Sequence, residues 1–101
     1  MMDRATNVVV TIIAEQSLEP LLVSDLERLG VAGYTITDAR GRGHRGVRRS
    51  SSAEGANIRC EVVCKRGMAA SILDHLELTY REHFAMISFV TEIVILHPRD
   101  R

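Results

Sequence analysis

Two strand–helix–strand patterns, held apart by a long stretch without any period, constrain this chain more than any other feature. Residues 7–14 read Asn-Val-Val-Val-Thr-Ile-Ile-Ala, a short β-branched apolar run that fits a central strand. Ser17 stands where a helix N-cap would, and Pro20 is tolerable in a first turn. Leu18, Leu21, Leu22, Leu26 and Leu29 then recur at helical spacing, with Ser24, Asp25, Glu27 and Arg28 on the other face. Gly30 is the expected stop. Residues 34–38, Tyr-Thr-Ile-Thr-Asp, predict a second strand by their β-branched content. The pattern then repeats. Ala56, Ile58, Cys60, Val62 and Cys64 alternate with Asn57, Arg59, Glu61 and Val63, as the two faces of a strand do. Ala69, Ile72, Leu73, Leu76 and Tyr80 make the apolar stripe of a helix over about 68–80, and residues 86–96 predict a fourth strand ended by Pro98.

The order β-α-β, loop, β-α-β in 101 residues predicts one domain, 1–101, of the α+β class. Its expected form is the ferredoxin-like βαββαβ arrangement, four antiparallel strands with two helices on one face. The other sheet face would carry apolar groups such as Val63. It is expected to be covered by further copies of the chain.

Between the two halves, residues 39–55 hold five arginines (Arg40, Arg42, Arg45, Arg48, Arg49), four glycines and three consecutive serines. A structureless stretch longer than about 12–15 residues in a compact domain is usually functional or flexible. The chain as a whole has 13 basic and 13 acidic residues, so a net charge of zero, which excludes a histone-like cation. That zero is a sum of opposites. Residues 39–53 contain no acid and carry +5, leaving −5 for the remainder. Lys65 is the single lysine, so the basic chemistry is that of guanidinium. Hydrophobic residues at 46% exclude a disordered chain. No apolar run approaches the 18 residues of a membrane span, and no signal-peptide core precedes the first strand. With two cysteines and no mark of secretion, a cytoplasmic protein with reduced thiols is expected. Cys60 and Cys64, on one strand, would sit roughly 13 Å apart, beyond the reach of a disulfide.

Gly41-Arg42-Gly43-His44-Arg45-Gly46 has the spacing G-x-G-x-x-G after a strand, but no helix pattern opens at the third glycine, so it does not read as a dinucleotide fingerprint. The physics of such a segment still favours phosphate. Glycines let backbone N–H groups approach an anion, and arginines add forked, charge-assisted hydrogen bonds. Nucleic acid is the rival anion, and such a loop can hold a phosphate backbone without sequence preference. The central strands, however, offer no aromatic residue on which bases would stack. His44, His75, His83 and His97 show no metal-ligand spacing, and no catalytic set stands out. A binding protein rather than an enzyme is expected, with neither a metal nor a covalent cofactor.

Gly33-Tyr34-Thr35, then Gly41-Arg42-Gly43-His44-Arg45-Gly46-Val47-Arg48 with Ser50-Ser51, then Ala56-Asn57-Ile58, resembles the PII signalling proteins. The likeness is stronger to PII-like proteins of inorganic-carbon metabolism, the SbtB type and the carboxysome-associated type. The resemblance implies a homotrimer with sheets facing inward and adenine nucleotides in the clefts between neighbours. Residues 39–55 would be the flexible T-loop. Carried over, Gly33, Tyr34 and Thr35 would lie by the adenine and ribose. Gly41, Arg42 and Gly43 would offer backbone and charge, and Arg45 and Arg48 would grip phosphate. Glu61, Val62 and Val63 with Ile87, Ser88 and Phe89 of the adjacent copy would wall the adenine. The implied partner is a bicarbonate transporter or a carboxysome-associated protein, with no nucleic acid and no membrane insertion.

The sequence departs from the PII pattern where a Gly- and Lys-rich loop would hold ATP phosphates; it reads Arg81-Glu82-His83-Phe84-Ala85-Met86-Ile87. Of the basic tail expected after the last strand, Arg99 and Arg101 are present. These departures favour ADP, AMP or cyclic AMP over ATP. The end His97-Pro98-Arg99-Asp100-Arg101 has none of the cysteines typical of SbtB relatives, so the carboxysome-associated type, with bicarbonate beside the nucleotide, is the nearer comparison. The expected mechanism is a T-loop that a bound phosphate orders and a partner reads. A metal-tolerance trimer of the CutA type shares the fold and is the remaining alternative.

Overall fold

The computed structural model describes residues 2–3, 7–43, 46–47, 56–82 and 85–96. Six principal elements follow the expected order: β1 (Asn7–Glu15), α1 (Glu19–Leu29), β2 (Thr35–Ala39), β3 (Asn57–Lys65), α2 (Arg66–Tyr80) and β4 (Ile87–Glu92). The four strands form one antiparallel sheet in the order β2-β3-β1-β4. This is the ferredoxin-like arrangement, with both helices on one face. The most apolar strand, β1, lies inside. It pairs along its whole length with β3, from Asn7 with Lys65 to Glu15 with Asn57, and on its other side with β4 from Val8–Glu92 to Ile13–Ile87.

Strand alternation then sorts the side chains. Val8, Val10, Ile12 and Ala14 of β1, with Ile58, Cys60 and Val62 of β3, pack under Leu22 and Leu26 of α1 and Ala69, Ile72, Leu76 and Tyr80 of α2. Each is almost fully removed from water. The stripe read from periodicity in α2 is therefore the buried one. In α1 it is narrower than expected, because Leu21 is exposed while Asp25 is buried.

Beyond shifts of one or two residues at the ends of the elements, such as α2 starting at Arg66, the structure departs from the sequence reading in three places. Ser17 does not cap α1. It lies in a 3-10 turn over Gln16–Leu18, and Leu18 precedes the helix without a side-chain cap. The fourth strand stops at Glu92 rather than Leu96, because β1 begins at Asn7 and offers no ladder beyond Val8. Ile93 N–H donates to the Asn7 carbonyl, and Ile95–Leu96 pairs instead with Met2–Asp3. Within the Arg-rich segment, expected to lack regular structure, Arg42–Gly43 pairs antiparallel with Gly46–Val47. The stop at Gly30 is as read. Its φ of 89° is left-handed, and its N–H and that of Val31 close back on the last turn of α1.

Candidate functional site

The helix-free face of the sheet is built row by row from the register. Thr35 of β2 lies opposite Glu61 of β3; Glu61 and Phe89 both lie opposite Thr11 of β1. The next row is Thr37, Arg59, Ile13 and Ile87. On the other side, Val63 and Thr91 flank Val9. One face thus joins five of the expected site residues: Thr35, Glu61, Val63, Ile87 and Phe89. Val63, Ile87 and Phe89 are 51%, 37% and 41% exposed, an apolar patch that the helices of this chain cannot reach. The charge in its midst is internally compensated, since Arg59 Nε donates to Glu61 Oε2 at 3.2 Å.

Two expected residues stand elsewhere. Val62 points to the other side of β3 and is fully buried in the core, so its side chain cannot touch a ligand and only its main chain is available. Ser88 pairs with Ile12 and also lies on the helix side, though exposed at the sheet edge. The main chain at Val62 has its own interest. β2 pairs with β3 only from Thr35–Glu61 to Ala39–Asn57, so residues 62–64 run on without a ladder partner on that side among the described residues. Tyr34 leans back on α1, its hydroxyl donating to Glu27 Oε2 at 3.4 Å.

At its other end, β2 runs directly into Arg40, Gly41 and the Arg42–Gly43 pair. A Cβ at Gly33 or Gly41 would meet nothing within 4 Å, and neither glycine has a positive φ. The packing of this chain does not require glycine at either position. Arg45 and Arg48, expected to hold phosphate, lie outside the described residues, as does most of the expected T-loop.

Sequence reasoning missed one polar cluster. Asp25 on α1 is 6% exposed. Its Oδ2 accepts the Tyr80 hydroxyl at 2.6 Å and lies 3.1 Å from His75 Nε2; its Oδ1 accepts Arg28 Nη2 at 2.7 Å. Burial pushes the carboxyl up, but the Tyr80, His75 and Arg28 contacts outweigh it and hold the group below its ordinary 3.8. The same burial, with the carboxylate beside it, pushes the Tyr80 hydroxyl well above its usual range. A signal was present: Asp25 stands seven residues after Leu18 and four before Leu29, inside the apolar stripe. Cys60, fully buried, is pushed up to about 11 by burial and by Glu19 and Glu61, so it is a protonated core side chain and no nucleophile. No cluster of metal-ligating side chains occurs among the described residues, and no helix there is long and apolar enough to cross a membrane.

Known proteins share this architecture. Residues 8–100 match the nitrogen regulatory protein P-II family. A protein from Thermus thermophilus described as PII-like is 43% identical, with 91% of each chain covered and a TM-score of 0.75. CPII, a nitrogen regulatory PII-like protein from Thiomonas intermedia K12, was solved bound to ADP, AMP and bicarbonate; it is 22% identical, covering 97% of this chain and 99% of its own, with a TM-score of 0.77. A DUF3240 family protein from Shewanella baltica OS155 is 19% identical over 88% of this chain and 91% of its own, with a TM-score of 0.70. The last two likenesses are of fold.

Proposed function

The chain belongs to the nitrogen regulatory protein P-II family as a PII-like signalling protein, and from that premise we propose that it binds ADP or AMP, together with bicarbonate, between the subunits of a homotrimer. The observation that carries this reading is where the β2–β3 ladder stops. Past Glu61, the main chain at 62–64 is an open strand edge of alternating C=O and N–H groups. The Watson–Crick edge of adenine sets an amino donor beside a ring-nitrogen acceptor, which is the pattern such an edge takes up. Adenine there is walled by apolar groups of the helix-free face, and the sheet faces of three copies cover one another. At its far end, β2 delivers Gly41, Arg42 and Gly43 from a second copy to the phosphates. The absence of any packing demand for glycine at 33 and 41 fits positions that something outside the chain approaches closely.

CPII of T. intermedia, solved with ADP, AMP and bicarbonate, lends support to the ligand pair. Bicarbonate would share the positive potential that the arginines create around the phosphates. Cyclic AMP and ATP are the other nucleotides of the same chemistry. The protein would act by binding alone, with no catalytic step. Phosphate would recruit Arg45 and Arg48 and so favour one arrangement of the 39–55 segment, which a cytoplasmic partner reads. That partner would be a bicarbonate transporter or a carboxysome-associated protein in inorganic-carbon uptake.

Calorimetry with ADP, AMP, ATP and cyclic AMP, each with and without bicarbonate, tests the reading. Binding tighter than about millimolar to ADP or AMP, strengthened by bicarbonate, is expected. Replacing Arg45 and Arg48 together by Ala should weaken ADP by roughly tenfold or more and leave adenosine unchanged. Equal losses for both ligands would remove the arginines from the phosphate site. Binding that ignores nucleotide but falls steeply with salt on single-stranded RNA would favour the nucleic-acid alternative.

A further inference from the structure

The buried cluster around Asp25 has no part in the nucleotide reading, yet it lies between two segments that each copy would contribute to the nucleotide clefts. α1 ends four residues after Asp25, and the chain then reaches Gly33–Thr35. Tyr80 is the last residue of α2, after which the chain leads to Ile87–Phe89. The single carboxylate ties these two places together across a sequence separation of 55 residues. A second acid of α1, Glu27, accepts the hydroxyl of Tyr34, so α1 holds a tyrosine from each segment.

A leucine at position 25 would complete the stripe of Leu18, Leu22 and Leu29, and would hold the helices together without the cost of desolvating a charge. Apolar contact alone, however, tolerates sliding. The 2.6 Å hydrogen bond from the Tyr80 hydroxyl of α2 to a buried carboxylate of α1, with His75 Nε2 of α2 3.1 Å from the same oxygen, is directional and fixes one arrangement. Arg28 compensates the charge from α1, and His75 Nε2 of α2 stands 3.1 Å from the same carboxylate, so the group has its partners within the chain.

We propose that Asp25 is a positioning residue for the nucleotide sites: by accepting the Tyr80 hydroxyl it fixes the end of α2 against α1, and so sets the spacing between Gly33–Thr35 and Ile87–Phe89, the two segments by which one copy reaches the clefts on either side of it. The nucleotide part of this inference rests on the function proposed above; the latch itself does not.

Tyr80→Phe removes the tying hydrogen bond and leaves Asp25 paired with Arg28 and His75, and the double variant Asp25→Leu with Tyr80→Phe replaces the pair by apolar groups. The first measurement is amide exchange by the full-length chain without nucleotide. In Tyr80→Phe, exchange at residues 33–36 and 86–89 should quicken relative to the interior ladder of β1 with β3. Quickening in equal proportion everywhere would show a merely global loss of stability and overturn the latch. The second is ADP affinity. It should fall roughly fivefold or more in Tyr80→Phe, the scale of one charge-assisted hydrogen bond, and stay low in the double variant even where thermal stability returns to that of the parent. Affinity that recovers along with stability would overturn the positioning role. A parent chain that does not bind ADP would contradict the proposed function, and amide exchange would still decide the latch.

Discussion

Asp25 shows how one residue can matter without touching a ligand. Its carboxyl is held below its ordinary 3.8, so the charged form is favoured in the folded chain. The sign follows from linkage. A depressed folded value adds stability above the unfolded value, and that stability is lost as pH falls through the depressed one. Asp25→Asn should therefore cost about 2 kcal/mol near neutral pH, and its deficit against the parent should shrink as pH falls below about 4. Chemical denaturation at several pH values measures this; a deficit independent of pH would contradict it. The thiols give a second expectation. Burial raises both Cys60 and Cys64, so alkylation followed by mass spectrometry should be slow for both in the native chain, slower for Cys60, and fast once the chain is unfolded. Cys60 was legible in the sequence as one face of an alternating strand. Asp25 was not, because an acid in a helix reads as solvated unless its position in the apolar stripe is given more weight than its charge.

Among the elements, the strand and helix cores were legible because period 2 and period 3.6 leave their mark in β-branched and leucine positions. The ends were less so, because an end depends on the partner rather than on the element. β4 has apolar residues as far as Leu96, yet stops at Glu92 because its ladder with β1 ends at Val8–Glu92, with the Ile93 N–H on the Asn7 carbonyl as the last bond between them. The open edge at 62–64 has the same origin, in β2 being shorter than β3. No residue type announces it. Where an end is set by backbone geometry instead, the sequence showed it: Gly30 takes a left-handed φ of 89°. Gly30→Ala should cost about 1 kcal/mol, although a Cβ there meets no neighbour, because the strain is in φ alone. Thermal unfolding checks this, and an unchanged midpoint would contradict it.

At the scale of the whole molecule, the helix-free face and the division of charge set the remaining expectations. Val63, Ile87 and Phe89 leave an apolar surface that neither helix covers. Val63 alone was enough to expect contact between copies there, but the shape of the face needed the register. Phe89→Asp should shift the assembly toward single chains in light scattering, with the monomer still folded, because the side chain carries little of the core. The +5 segment against a −5 remainder points from composition to where an anion would be held, while the proposed adenine contact rests on main-chain geometry that composition cannot carry. The most direct test of nucleotide binding between copies is native mass spectrometry of the chain titrated with ADP and bicarbonate. The expected result is a trimer carrying one ADP per subunit, and no ADP on the single chains released by Phe89→Asp. ADP bound stoichiometrically to single chains, or a trimer that takes up none, would contradict the account.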